Sequence, residues 1–131
     1  EAQLVQSFPE VDLALLQVTG TNLPSLTLAN RPSYQEDEAV YFIGNPLAFT
    51  GIANKGTLLN EIYLDDWQVP VMMMQAPVYK GNSGSPVLNT DGDVIGIVFA
   101  TMKKEPYGRV GLFIPVHVLQ EQIEQYNFYD E

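Results

Sequence analysis

The apolar, β-forming runs of this sequence are all short, and each stops within a few residues at glycine, proline, asparagine or aspartate. A chain punctuated in this way folds through many short strands joined by turns, because long helices need uninterrupted 3.6-residue periodicity. Gln3 to Phe8 reads as a strand closed by Pro9-Glu10, and Asp12 to Val18 as a second, closed by Gly20-Thr21-Asn22. Ala39 to Ile43 is a third, stopped by Gly44-Asn45-Pro46. Ile52 to Tyr63 alternates imperfectly, with Gly51 and Gly56 marking expected bulges or bends. In Gln68 to Gln75, Pro70 has no N–H for a ladder and so belongs at a strand start or an edge. Val87 to Val98 sets two apolar runs around Asp91-Gly92, a strong hairpin signal. Arg109 to Ile114 is the last strand. Pro115 suits the first position of a helix, and Leu119, Ile123 and Tyr126 share one face, which predicts a helix over about residues 116 to 126. Many strands followed by one helix indicate an all-β fold, an antiparallel barrel or sandwich.

Residues 21 to 38 carry Pro24, Pro32, Asn22, Asn30 and the acidic run Glu36-Asp37-Glu38, and read as a loop or linker with little to bury. Apolar residues at 46% against 17% charged allow a packed core in one domain or slightly less. Sixteen acidic side chains against six basic give a net charge of -10, which argues against nucleic acid as a partner. No run reaches the roughly 18 apolar residues of a membrane-spanning helix. Without cysteine there are no disulfides and no thiolate chemistry, and a single histidine cannot form a multi-histidine metal site, so no cofactor or metal is expected. The chain opens Glu-Ala-Gln-Leu-Val, with no methionine, no basic leader and no signal-like segment, and is expected to be processed, excised, or to start partway through something longer. Met72-Met73-Met74 alternate faces in a strand and read as filler packing. Trp67 reads as a half-buried strand-end aromatic, and Lys103-Lys104 as a solvated turn.

One segment is rich in chemistry: Lys80-Gly81-Asn82-Ser83-Gly84-Ser85-Pro86. Its glycines permit backbone conformations in which successive amides point one way and form a nest for an anion. A serine there can present its hydroxyl beside amides that stabilise an oxyanion, as acyl transfer requires. An ordinary Gly-Ser turn would have the same composition. The Gly-x-Ser-x-Gly elbow of α/β-hydrolases fits poorly, since its last position is Ser85 and Pro86-Val87-Leu88 continues as a strand. In Val11-Asp12-Leu13-Ala14-Leu15-Leu16 a carboxylate opens an apolar strand. It is either a partnered functional group or a turn aspartate at the strand entry.

Taken in order, five segments resemble the trypsin-like serine peptidases, above all their HtrA (DegP-like) branch. Pro9 to Leu16 resembles the segment around that family's catalytic aspartate, and Tyr41-Phe42-Ile43-Gly44-Asn45-Pro46 its Ile-Gly-Asn-Pro turn. Gly81-Asn82-Ser83-Gly84-Ser85-Pro86-Val87 resembles the nucleophile loop, Asp91 to Ile97 the next hairpin, and Phe113-Ile114-Pro115-Val116 the strand before the last helix. Ser85 departs from the glycine usual in HtrA proteins and is similar to glutamyl endopeptidases. The resemblance implies a chymotrypsin-like antiparallel β-barrel: a complete second barrel over residues 39–114, the last two strands of the first barrel over 1–20, an inter-barrel linker over 21–38, and a C-terminal α-helix and tail over 115–131. It implies Ser83 as nucleophile and Asp12 as the carboxylate that orients a histidine. The oxyanion hole would be formed around Gly81, Asn82 and Ser83, chiefly by the amides of Gly81 and Ser83. Val78, Tyr79, Phe99, Ala100 and Thr101 would line the pocket for the substrate side chain. Pro77 stands where specificity for lysine or arginine wants aspartate, so a small or apolar preference is expected.

The family's histidine precedes its aspartate, and none of the residues before Asp12 is histidine. His117 opens the terminal helix, and the order Asp12, Ser83, His117 matches no familiar triad; it reads as an exposed or capping helix residue. These 131 residues alone are therefore expected to be inactive. Expected partners are a peptide or unfolded-protein substrate, together with a missing N-terminal half or a homo-oligomeric partner over the incomplete barrel. A non-catalytic protease-like module that binds peptides or proteins is the alternative. The resemblance implies an extracytoplasmic location, periplasmic or secreted, and a PDZ domain often follows this domain in the family.

Overall fold

The computed structural model describes residues 2–30, 35–44, 52–76 and 82–130. Among them the chain forms β1 (Ala2–Phe8), β2 (Leu13–Val18), β3 (Ala39–Gly44), β4 (Ile52–Ile62), β5 (Val71–Gln75), β6 (Pro86–Leu88), β7 (Val94–Lys104), β8 (Gly108–Pro115) and the helix α1 (Val116–Asp130). Strands β3 to β8 close into an antiparallel barrel in the order β3-β4-β5-β8-β7-β6, sealed where β3 meets β6 with Tyr41 opposite Leu88 and Phe42 opposite Val87. Strands β1 and β2 make a separate two-stranded sheet, with Ala2 opposite Val18 and Phe8 opposite Leu13. This is an all-β chymotrypsin-like architecture with a C-terminal helix.

Strand alternation places Val40, Phe42, Leu58, Met72, Met74, Val87, Ile95, Val98 and Phe113 together inside the barrel. Each such side chain taken from water contributes on the order of 1.5–3 kcal/mol. Where β5 and β8 pair, the outer face is covered as well: Val71, Met73, Val110 and Leu112 form a second cluster with Trp67 and Phe99 packed against it. The three methionines thus serve both faces of one strand, as their spacing predicts.

Three details differ from expectation. The irregularity of β4 falls between Leu58 and Glu61, whereas Gly56 pairs regularly with Val40. Pro115 ends β8, and the helix begins at Val116 and runs to Asp130, past the predicted end. Within the expected linker, Leu28 and Ala29 are not idle. The Val94 N–H donates to the Thr27 carbonyl at 2.8 Å, and the Ala29 N–H donates to the Val94 carbonyl at 2.9 Å. The side chains of Leu28 and Ala29 then join the barrel core, while Gln120 Nε2 donates to the Ala29 carbonyl at 3.0 Å.

A third cluster fixes the β1–β2 hairpin to the rest. Val11, at the hairpin's tip, is buried with Ile114 of β8 and Val118 of α1, and Phe8, Leu13, Trp67 and Phe99 pack around them. The rings of Trp67 and Phe99 stack with centroids 5.1 Å apart.

Candidate active site

Between β1 and β2 the chain makes one 3-10 turn, Pro9–Val11, and Asp12 ends it with φ +54°. Aspartate is among the few residues other than glycine that take this left-handed conformation readily. The Asp12 N–H donates to the Pro9 carbonyl at 3.4 Å. Val11 anchors the turn inward, so Asp12 stands exposed at the start of β2. Of the two readings of Asp12 made from the sequence, the turn aspartate at the strand entry is what this backbone requires.

Ser83 lies on a tight turn. The Ser85 N–H donates to the Asn82 carbonyl at 3.0 Å, and Gly84, the third residue of the turn, has φ +89°. A Cβ on Gly84 would meet nothing within 4 Å, so backbone conformation rather than space demands glycine there. The turn is bolted to β7 by the Gly84 N–H donating to the Val98 carbonyl at 2.7 Å and the Val98 N–H donating to the Ser85 carbonyl at 2.9 Å. Ser83 is exposed between the buried residues Asn82 and Ser85. Asn82 is fully buried, and neither Nδ2 nor Oδ1 of its amide has a hydrogen-bond partner among the described residues.

The two elements face a common space. A cleft of about 440 Å³ is lined by Phe8, Asp12 and Leu13 on the hairpin side and by Gly84 and Ile97 on the barrel side. Leu119, Gln122 and Ile123 of α1 form its third wall. Asp12 is the one charged residue of the lining. Leu119 and Ile123, which in the sequence show only as a helix face, wall the cleft that Asp12 and Gly84 share.

Of the remaining expected site residues, Gly81, Val78 and Tyr79 lie outside the described residues. Phe99, Ala100 and Thr101 continue β7 beyond Ile97 on the Trp67 side. There Phe99 stacks on Trp67, and Thr101 Oγ1 accepts a 2.9 Å hydrogen bond from Arg109. His117 is half-buried in the first turn of α1, its Nδ1 has no partner among the described residues, and it does not line the cleft. Among the described residues no group of three His, Cys, Asp or Glu side chains could hold a metal ion, and no helix is long and apolar enough to cross a membrane.

A closed six-stranded antiparallel barrel, with a hairpin docked against it and a serine turn beside their shared cleft, defines a domain of the chymotrypsin fold. Comparison with known proteins agrees. The model of the trypsin-like peptidase domain family matches residues 1–97, and the chain belongs to that family, as a domain of the HtrA/DegP type. A probable periplasmic serine endoprotease, DegP-like, from Pseudomonas putida (strain W619) is 36% identical over 104 residues, covering 74% of this chain and 21% of the relative. The protein of the same description from Chlamydia muridarum is 30% identical over 129 residues, covering 95% of this chain and 26% of the relative. Among solved structures, the HtrA-type protease AlgW with decapeptide superposes with a TM-score of 0.83 at 29% identity, over 94% of this chain and 39% of that one. The serine endoprotease from Yersinia pestis gives a TM-score of 0.78 at 29% identity, over 95% of this chain and 43% of that one. The chain thus spans about a quarter of the length of these curated relatives.

Proposed function

We propose that this chain is the C-terminal portion of a serine endopeptidase, with Ser83 as the nucleophile and Asp12 as the carboxylate that orients a general-base histidine. The observation that carries this reading is the cleft shared by Asp12 and Gly84, next to the exposed Ser83. In the reaction, Ser83 Oγ attacks the peptide carbonyl while the base removes its proton, and that proton later passes to the leaving amine. The N–H groups of Gly84 and Ser85 are held by the Val98 and Asn82 carbonyls, and the oxyanion would be met by the loop before them, at Gly81, Asn82 and Ser83, as the family resemblance implies. Val78, Tyr79, Phe99, Ala100 and Thr101 would shape the side-chain pocket, and a small or apolar side chain is the preferred occupant.

The base itself is not in the cleft. His117 is the single histidine and lies outside the lining. On this reading the base would come from a first-barrel segment outside these residues; that segment or a second copy of this chain would cover the hairpin, where Leu4, Leu16 and Val18 are 64%, 57% and 54% exposed. A triad lacking one member retains only roughly 10³–10⁴ over water, so these 131 residues alone hydrolyse peptides negligibly. A broad peptide library incubated with the chain tests this; turnover comparable with intact HtrA-type proteases overturns it. The names of the relatives support an extracytoplasmic setting, and the decapeptide-bound AlgW structure supports a peptide substrate.

One observation favours a second reading. A mostly apolar cleft that holds one carboxylate and no histidine among its lining suits a module that binds peptides without cutting them. A histidine-bearing complementing segment that restores turnover excludes it.

A further inference from the structure

We propose that the tip of the β7–β8 hairpin is a docking surface for acidic residues of a peptide substrate, held by Lys103, Lys104 and Arg109. The inference rests on the reading of this chain as a peptidase domain and deepens it by naming a charge preference for the substrate. Three of the six basic side chains fall between positions 103 and 109, in a chain with sixteen acidic ones. Against these three exposed cations the tip carries one carboxylate, Glu105. Lys55, the fourth described cation, lies elsewhere, its Nζ 6.0 Å from the centre of the Tyr41 ring.

Strand register presents the cations together. Lys103 of β7 lies directly opposite Arg109 of β8, and Lys104 opposite Gly108. Like charges on directly opposed residues cost a sheet stability, and neither lysine forms an ion pair among the described residues. The tip is nonetheless firmly built. The Tyr107 N–H donates to the Lys104 carbonyl at 2.8 Å, and Gly108 turns the chain at φ +78°. Arg109 is anchored as well, its guanidinium donating to Thr101 Oγ1 at 2.9 Å. That bond uses one N–H. The rest of the planar fork has no partner among the described residues and matches the geometry of a carboxylate.

The place of the tip ties it to the proposed substrate pocket. Arg109, Gly111 and Phe113 share one face of β8, because strand side chains alternate. Phe113 belongs to the barrel core, Gly111 has no side chain, and Arg109 comes last, at the rim. Thr101 lies opposite Gly111, on the same face as Lys103. An extended peptide with an apolar residue beside Thr101 therefore brings an acidic residue about two positions away, at roughly 3.3 Å per residue, to Lys103 and Arg109. The net charge of -10 on the whole chain repels such a peptide. Screening decides between the two effects: at about 0.1 M salt the Debye length is about 10 Å, so distant carboxylates are hidden while contacts at the tip persist. A polyanion such as nucleic acid spans far more of the surface than the tip, and the same net charge disfavours it.

The test is fluorescence anisotropy of labelled, end-blocked peptides titrated with the 131-residue chain. The peptides share an alanine-valine core flanked by glutamate, by glutamine or by lysine. At about 0.1 M salt the glutamate peptide is expected to bind about fivefold or more tightly than the glutamine peptide, as several exposed ion pairs acting together allow, and the lysine peptide most weakly. Near 1 M, where the Debye length is about 3 Å, the difference disappears. Lys103→Gln with Lys104→Gln removes most of the difference, Arg109→Lys reduces it by losing the fork, and Lys55→Gln leaves it unchanged. Lys103→Glu with Lys104→Glu turns the preference toward the lysine peptide, a reversal that loss of folding cannot produce. Equal binding of the glutamate and glutamine peptides overturns the proposal, as does a preference that survives Lys103→Gln with Lys104→Gln or falls as much with Lys55→Gln. A single-stranded oligonucleotide bound as tightly as the glutamate peptide overturns the assignment to peptides. Failure to bind any of the peptides also overturns it, and capture of a serine-directed phosphonate at Ser83, measured in parallel, shows whether the peptidase reading falls with it.

Discussion

At the scale of single residues, the serine turn is held by one conformation and three backbone hydrogen bonds. Gly84 at φ +89° has open space around it, so Gly84→Ala introduces strain and no clash. A loss of about 1–2 kcal/mol in chemical denaturation is expected, with weaker phosphonate capture at Ser83 because the turn that presents it relaxes. An unchanged midpoint together with unchanged capture would contradict this account of the turn. The candidate residues stand out in the sequence because their types are demanding. Gly84 beside a serine and Asp12 at the head of an apolar strand each take a backbone conformation few other residues adopt. What the sequence did not disclose is how the cleft is walled. Leu119 and Ile123 look like any helix face, and only the docking of α1 against the hairpin turns that face toward Asp12.

At the scale of elements, β7 and β8 approach so closely at Gly96 that a Cβ there would run into the ring of Phe113 and the Ile114 carbonyl. Gly96→Ala therefore overpacks the barrel, with an expected loss of about 1–3 kcal/mol read from the denaturation midpoint. Val11→Ala acts elsewhere. It removes two buried methyl groups where the hairpin meets β8 and α1, costing about 1.5–2 kcal/mol at the usual value per carbon. Hydrogen exchange should accelerate in residues 2–18 before it does in the barrel strands; uniform acceleration would show that the hairpin and barrel open as one unit. The strands themselves could be read from their punctuation. The Asp91-Gly92 hairpin was visible, but not its brace: Asn89 Oδ1 accepts from the N–H groups of Asp91 and Asp93, both at 3.0 Å. Nor was the insertion of Leu28 and Ala29 beside Val94, because a short apolar pair inside a polar, proline-bearing stretch carries no periodicity, and only the gap left by the barrel recruits it.

At the scale of the whole molecule, the barrel is closed and has no free edge, whereas the β1–β2 sheet has two. Its outer strands carry Leu4 opposite Leu16 and Ala2 opposite Val18, an apolar face open to solvent. Such a face beside unpaired edges drives pairing with another chain. Light scattering should accordingly show a mass above that of a monomer, falling toward it on dilution, and Leu16→Asp should shift the balance toward monomer. A clean monomer at high concentration would instead show that the face is stable in water. The net charge of -10 opposes self-association at low salt, so the oligomer should gain as ionic strength rises.

The proposed function turns on the chemistry of Ser83. Prolonged exposure of the chain to a serine-directed phosphonate, followed by peptide mapping by mass spectrometry, tests it directly. The structure predicts one adduct, on Ser83, forming far more slowly than in intact HtrA-type proteases. An adduct elsewhere, none at all, or capture at the rate of an intact enzyme would contradict it.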